Sequence, residues 1–262
     1  MLFSNEERVV YDRPPLHEVI CQIRFPDILT IEAKEPADFQ EAIRADFPRY
    51  LLKKDQPAPK ITGFVDGIPQ VDRPSPITNY HFVSADNMWK LNLTRNFIAL
   101  STLRYTCWED FAKMLDKPLA QFIKIYQPAF FQRIGLRYLN IISRKKLDLE
   151  GTPWSDLIQS PYLGPLAEAD VREQATMKSS IDFEMMLDSS YRAKVHAGPG
   201  TLKTTKPGAA QDTEPKFILD IDISMHGNID IPMSAGGLET LHGHSTRIFR
   251  GAITQELHEA ML

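Results

Sequence analysis

Residues 130–143 read FFQRIGLRYLNIIS, and the fold is best deduced outward from this stretch. In an extended strand, side chains alternate between two faces with a period of two. One face then carries Phe131, Arg133, Gly135, Arg137, Leu139 and Ile141, and the other carries Gln132, Ile134, Leu136, Tyr138, Asn140 and Ile142. Because both faces are partly apolar, the pattern predicts a central strand of a sheet that is covered on both sides.

Two arginines share one face of this predicted strand, with a glycine between them. Arg133 and Arg137 would lie about 13 Å apart along the strand, and Gly135 leaves a gap that a ligand or another chain can approach. One interpretation is an anion pocket, since guanidinium groups bind carboxylates and phosphates. The alternative is internal ion pairing, because a buried unpaired charge is costly. Its candidate acidic partners are Asp182, Glu184, Asp220 and Asp222, which fall on neighbouring predicted strands.

Similar patterns on both sides of this strand predict the other elements. Alternating strands are expected at residues 16–25, 80–94, 97–105, 176–188 and 216–225, and a short one at residues 61–65. Helical spacing predicts helices at residues 36–47, 107–126 and 236–262. Pro118 falls inside the second helix, where an interior proline costs about 3 kcal/mol, so we expect a kink or a break there. Residues 55–80 are rich in proline and predict a long irregular connection.

The predicted order of elements repeats. It is β–α–loop–β–β–α in residues 1–127 and β–α–β–β–α in residues 128–262, and we expect both halves to pack as one compact unit. This order predicts the α+β class, with helices on a largely antiparallel sheet.

Composition narrows the classes of function. Among 262 residues, 30 are basic and 34 acidic, so the net charge is −4 and the pI is about 6.0. Such a balance makes nucleic acid an unexpected partner. The start of the chain has no apolar signal region and no apolar run reaches the roughly 20 residues of a membrane span. The two cysteines form no CxxC pair. We therefore expect a cytoplasmic protein with reduced cysteines and no membrane contact.

The sequence lacks the common signatures of catalysis and cofactor binding. It contains no GxSxG, HExxH, GxGxxG or P-loop pattern. His242 and His244 are two apart in a predicted helix and point in different directions, so they cannot share one metal ion. Lys203 and Lys206 lie in a loop rich in glycine and proline, for which a solvated hairpin is the simpler interpretation. We expect no catalytic residue, no metal and no cofactor.

Three further motifs carry a family resemblance. PPLHEV at residues 14–19, RIGLRYLN at residues 133–140 and LHGHSTRIFRGAIT at residues 241–254 resemble a bacterial family described only as sporadically distributed. The resemblance extends over nearly the whole chain. The family has no assigned activity, and its patchy distribution implies horizontally transferred genes with accessory roles, such as defence.

Two functions follow as hypotheses. The first is a non-catalytic interaction module that binds a protein partner or forms a homodimer. The second is a sensor or enzyme for a small anion, with Arg24, Arg133, Arg137 and Asn140 as ligand-binding residues. The two differ in whether the arginines converge on an open pocket or each bind a carboxylate of the protein itself.

Overall fold

The alternating stretch does form a strand, and this strand lies in the middle of a large sheet. The computed structural model describes residues 2–65, 68–201 and 212–262. Within them the strands are β1 (Leu16–Arg24), β2 (Arg49–Asp55), β3 (Lys60–Val65), β4 (Ile68–Asp72), β5 (Ile77–Val83), β6 (Trp89–Leu93), β7 (Phe97–Thr102), β8 (Phe131–Ile142), β9 (Ile181–Met186), β10 (Tyr191–Gly200) and β11 (Lys216–Ile229). The α-helices are α1 (Leu29–Ala33), α2 (Ala37–Ile43), α3 (Trp108–Tyr126), α4 (Trp154–Leu157), α5 (Ser234–Ala252) and α6 (Gln255–Met261).

The strand order is nearly symmetrical about the centre of the sheet. In the described residues, nine strands form one sheet in the order β2-β5-β6-β7-β1-β8-β11-β10-β9, and each pairing is antiparallel. The first strands of the two halves, β1 and β8, pair at the centre. Outward from them run β7, β6 and β5 on one side and β11, β10 and β9 on the other. The α+β class with a largely antiparallel sheet is therefore confirmed, and the halves share one sheet.

Helices cover one face of the sheet, and the core lies beneath them. Cys21, Leu136 and Ile221 point to this face from three adjacent central strands and are at most 1 % exposed. The apolar stripe of α3 includes the buried Phe111 and Phe122, and α5 buries a similar stripe over β8 and β11. Burial of these stripes is the main favourable contribution to folding, at about 25 cal/mol per Å² of apolar surface.

The opposite face of the sheet is polar and less covered than the sequence predicted. Arg24 and Arg137 are exposed on it, and Leu139 is only half-buried. The expectation that β8 is covered on both sides is thus wrong, since its two arginines bring their charges towards solvent.

Three local predictions also need correction. Helix α3 is continuous through Pro118, so it does not break there, and apolar residues before and after this proline are buried together. The C-terminal helix breaks at Ile253, which forms a bridge with Ile158, and Thr254 then caps α6 by accepting a hydrogen bond from Leu257 N. The predicted irregular connection at residues 55–80 contains the whole of β3, which the sequence predicted at residues 61–65, the whole of β4, and the ends of β2 and β5. Lys203 and Lys206 lie outside the described residues.

Candidate functional site

Arg133 binds a carboxylate of the neighbouring strand. Its Nη2 atom lies 2.8 and 3.0 Å from the two carboxylate oxygens of Asp222, and Nη1 lies 3.5 Å from Oε1 of Gln22. The guanidinium group lies over Gly135, where a Cβ atom would collide with it. The glycine therefore makes room for the side chain of Arg133, whereas the sequence suggested a gap for a ligand.

Arg137 is paired in the same way. Its Nε atom donates to Oδ1 of Asp220 at 2.7 Å, and its Nη2 atom donates to the second oxygen. These hydrogen bonds to the carboxylate of Asp220 raise the pKa of Arg137 further. Burial, by contrast, raises the pKa of Asp222, although Arg133 acts to lower it. Arg133 and Asp222 therefore lose hydration on folding, and the attraction between their opposite charges must offset that loss.

The four residues predicted to bind a ligand do not come together. Arg24 lies opposite Arg133 in the register of β1 and β8, on the polar face. Asn140 points to the helix-covered face, where it is 4 % exposed and donates through Nδ2 to Leu219 O at 3.0 Å. The structure thus groups three arginines on one face, two of them bound to aspartates, and places Asn140 on the other.

A cavity of about 110 Å³ lies on the helix-covered face. It is bounded by β8, by the residues before α3, by α5 and by the N-terminal residues 7–16. Aromatic side chains make up much of its wall, namely Tyr11, Tyr105, Tyr138, His242 and Phe249. Asn140 also lines it. The cavity therefore adjoins the centre of the sheet, where the two halves meet.

His242 is held tightly beside this cavity. Its Nδ1 atom is 2.8 Å from the hydroxyl group of Tyr138, and its ring stacks on Trp108 with centroids 4.8 Å apart. Trp108 in turn donates from Nε1 to Glu239 at 2.6 Å. Burial lowers the pKa of His242 to about 4, with a further contribution from Arg8. The imidazole is therefore neutral near pH 7 and serves as a hydrogen-bonding group without charge.

The N-terminal residues form a roof over the cavity, attached mainly by side chains. Ser4 N donates to Arg247 O and Arg13 N donates to Met261 O, each at 3.0 Å. Between these two points, Arg8 forms an ion pair with Glu109, and the hydroxyl oxygen of Tyr11 lies 2.8 Å from Nδ1 of His258. Few backbone bonds hold residues 5–12, so this roof can move with less loss of energy than the sheet.

Residues 49–65 and 68–83 form one long ribbon that extends beyond the sheet. The pairs Arg49–Val83, Asp55–Ile77 and Lys60–Asp72 have the same register, although β2–β5 and β3–β4 are separate ladders. Prolines 57, 59, 74 and 76 interrupt the pairing between them, since proline has no N–H to donate. We call residues 60–65 and 68–72 the ribbon arm.

The ribbon arm has one apolar face. A bulge between Ile61 and Gly63 shifts the register, so Ile61 and Phe64 point the same way, together with Val71 and Pro69 opposite them. Ile61 is 64 % and Phe64 68 % exposed, and Ile68 on the other face is 65 % exposed. A two-stranded ribbon alone is marginally stable in water. Four apolar side chains on one exposed face are typical of a contact surface.

Sequence patterns missed the cavity, and of the ribbon arm they predicted only the strand at residues 61–65. Tyr138 and His242 gave a weak signal, since polar groups at core positions of a strand and a helix require partners. The helices of the described residues are too short or too polar to cross a membrane. In the same ranges, no group of three or more His, Cys, Asp or Glu side chains is arranged to hold a metal ion.

Comparisons with known proteins found no match. The sequence matches no family model, and no curated protein and no solved structure is significantly similar to the chain.

Proposed function

We propose that this protein is a non-catalytic interaction module that associates with a second copy of itself through the ribbon arm. The observation that carries the proposal is the exposed apolar face formed by Ile61, Phe64, Pro69 and Val71. Burying one isoleucine side chain contributes about 2 kcal/mol. A symmetric dimer uses the same surface twice, so each residue contributes to it twice.

A second copy is the occupant that this face fits best. The face carries no charge, so contact with the same face of another copy brings no like charges together. The charged pair Lys60 and Asp72 lies on the opposite side of the ribbon arm. Two stacked ribbon arms would form a two-layer unit, which supplies the packing that a single ribbon lacks.

Sedimentation velocity of the wild type and two matched variants tests the proposal. We expect a dimer for the wild type and a monomer for Ile61→Thr, because the substitution removes apolar contact from both copies. Ile68→Thr is the control, since Ile68 is equally exposed but lies on the other face. A monomeric wild type, or dissociation of both variants alike, would contradict the proposal.

The cellular setting is a further part of this proposal. The resemblance to the sporadically distributed bacterial family implies an accessory role, such as defence, and the two free cysteines, Cys21 and Cys107, favour the cytoplasm. Anion binding by Arg24, Arg133, Arg137 and Asn140 stays a prediction, and the aspartate partners of Arg133 and Arg137 speak against it.

A further inference from the structure

The cavity beneath the N-terminal roof has the size of a small ring. Its volume is about 110 Å³, and an engineered apolar cavity of about 150 Å³ in another protein binds benzene. One wall is the N-terminal roof, which is held mainly by side-chain contacts. The cavity therefore accommodates one aromatic ring with a small displacement of the roof.

The wall of the cavity favours an uncharged ligand. Tyr11, Tyr105, Tyr138 and Phe249 contribute rings to it, and the nearby imidazole of His242 is neutral near pH 7. The two arginines at its rim are already paired, Arg8 with Glu109 and Arg250 with Glu6. An anion that entered would lose its hydration without gaining a free positive counter-charge, which costs several kcal/mol.

Asn140 supplies a point of hydrogen bonding. Its Nδ2 atom is engaged by the carbonyl oxygens of Leu219 and Tyr138, at 3.0 and 3.4 Å. The hydrogen bonds of the described residues give its Oδ1 atom no donor, and the residue lines the cavity. A ligand that covers this oxygen without donating to it leaves it unsatisfied, so a ligand that donates a hydrogen bond is favoured over one that does not.

We propose that this cavity binds a small neutral aromatic compound with one hydrogen-bond donor, of the size of phenol, and that the donor bonds to Oδ1 of Asn140. Binding places the ring among the tyrosine and phenylalanine side chains and holds the N-terminal roof closed over it. The site lies apart from the ribbon arm and is independent of dimer formation.

Isothermal titration of the wild-type protein with three probes tests the class of ligand. Phenol carries a ring and a donor, fluorobenzene has a similar size without a donor, and benzoate carries a charge. We expect phenol to bind, fluorobenzene to bind more weakly and benzoate not to bind. Equal binding of phenol and benzoate, or no binding of phenol, overturns the proposal.

A matched pair of substitutions in α5 tests the place. Ser245 and Thr240 both donate to the carbonyl group four residues earlier, but only Ser245 lines the cavity. Ser245→Leu fills the cavity and is expected to abolish phenol binding, whereas Thr240→Leu is expected to leave it unchanged. Unchanged binding by a folded Ser245→Leu variant overturns the proposal.

If Ser245→Leu does not fold, nuclear magnetic resonance of the wild type tests the place of binding instead. In ¹⁵N-labelled protein, phenol is expected to shift the side-chain amide resonances of Asn140 more than fluorobenzene does. Phenol that binds without shifting these resonances binds elsewhere, and that result overturns the proposal.

Discussion

The two faces of β8 carry different kinds of polar side chain, charged on one face and neutral on the other. On the polar face, Arg133 and Arg137 are charged, and each is paired with an aspartate of β11. On the helix-covered face, Tyr138 and Asn140 are neutral and buried, and each forms hydrogen bonds. The difference shows that charge is retained where water or a counter-ion is near, and that uncharged polar groups are used where neither is available.

Removing one partner of the more buried ion pair should have the largest effect. Asp222→Ala leaves the guanidinium group of Arg133, whose side chain is 19 % exposed, without its carboxylate. We expect the free energy of unfolding to fall by about 3 to 4 kcal/mol, as measured by urea denaturation. The double variant Arg133→Met, Asp222→Leu removes both charges and should recover most of this loss. A double variant as unstable as Asp222→Ala would contradict the ion-pair account.

The helix-covered face should respond to pH through His242. Burial lowers its folded-state pKa to about 4, while the unfolded value is about 6.5. Above pH 6.5 the residue is neutral in both states and contributes nothing to the pH dependence. As the pH falls from 6.5 to 4, the unfolded state gains a proton that the folded state does not bind, so stability falls by roughly 2 to 3 kcal/mol.

Two histidine variants of α5 isolate this effect. His242→Gln should remove most of the pH dependence of unfolding between pH 6.5 and 4. His244→Gln should remove less, because His244 is half-buried at the surface beside Tyr191. If both variants unfold with the same pH dependence as the wild type, another group causes that dependence and the assignment to His242 is wrong.

The more exposed ion pair should have the smallest effect. The Arg137 side chain is 44 % exposed, and exposed pairs contribute about 1 kcal/mol or less. Asp220→Ala leaves this guanidinium group in contact with water and should therefore lower the thermal melting temperature only slightly, and 1 M salt should have little further effect on this variant. A loss as large as that of Asp222→Ala would mean that exposure does not decide the strength of the two pairs.

Much of the fold could be predicted because its signals are local. The strict alternation in residues 131–142, and the helical stripes of residues 108–126 and 234–252, identified a central strand and two long helices. The α+β class and the similar order of elements in the two halves followed from them. Strands β2 and β10 were missed, since residues 49–55 are mostly exposed and carry no alternation, and β10 ends in glycine and proline.

What the sequence determined by itself was the pattern of faces, in which arginines alternate with core residues along β8. Only the tertiary structure decided what those residues contact. Strand pairing placed Asp220 and Asp222 beside the arginines, and it turned Asn140 towards a cavity that the N-terminal residues close. Side-chain periodicity is set by the geometry of a single strand. Contact partners and cavities depend on segments that lie far apart in the chain. A local sequence pattern does not specify how such segments pair.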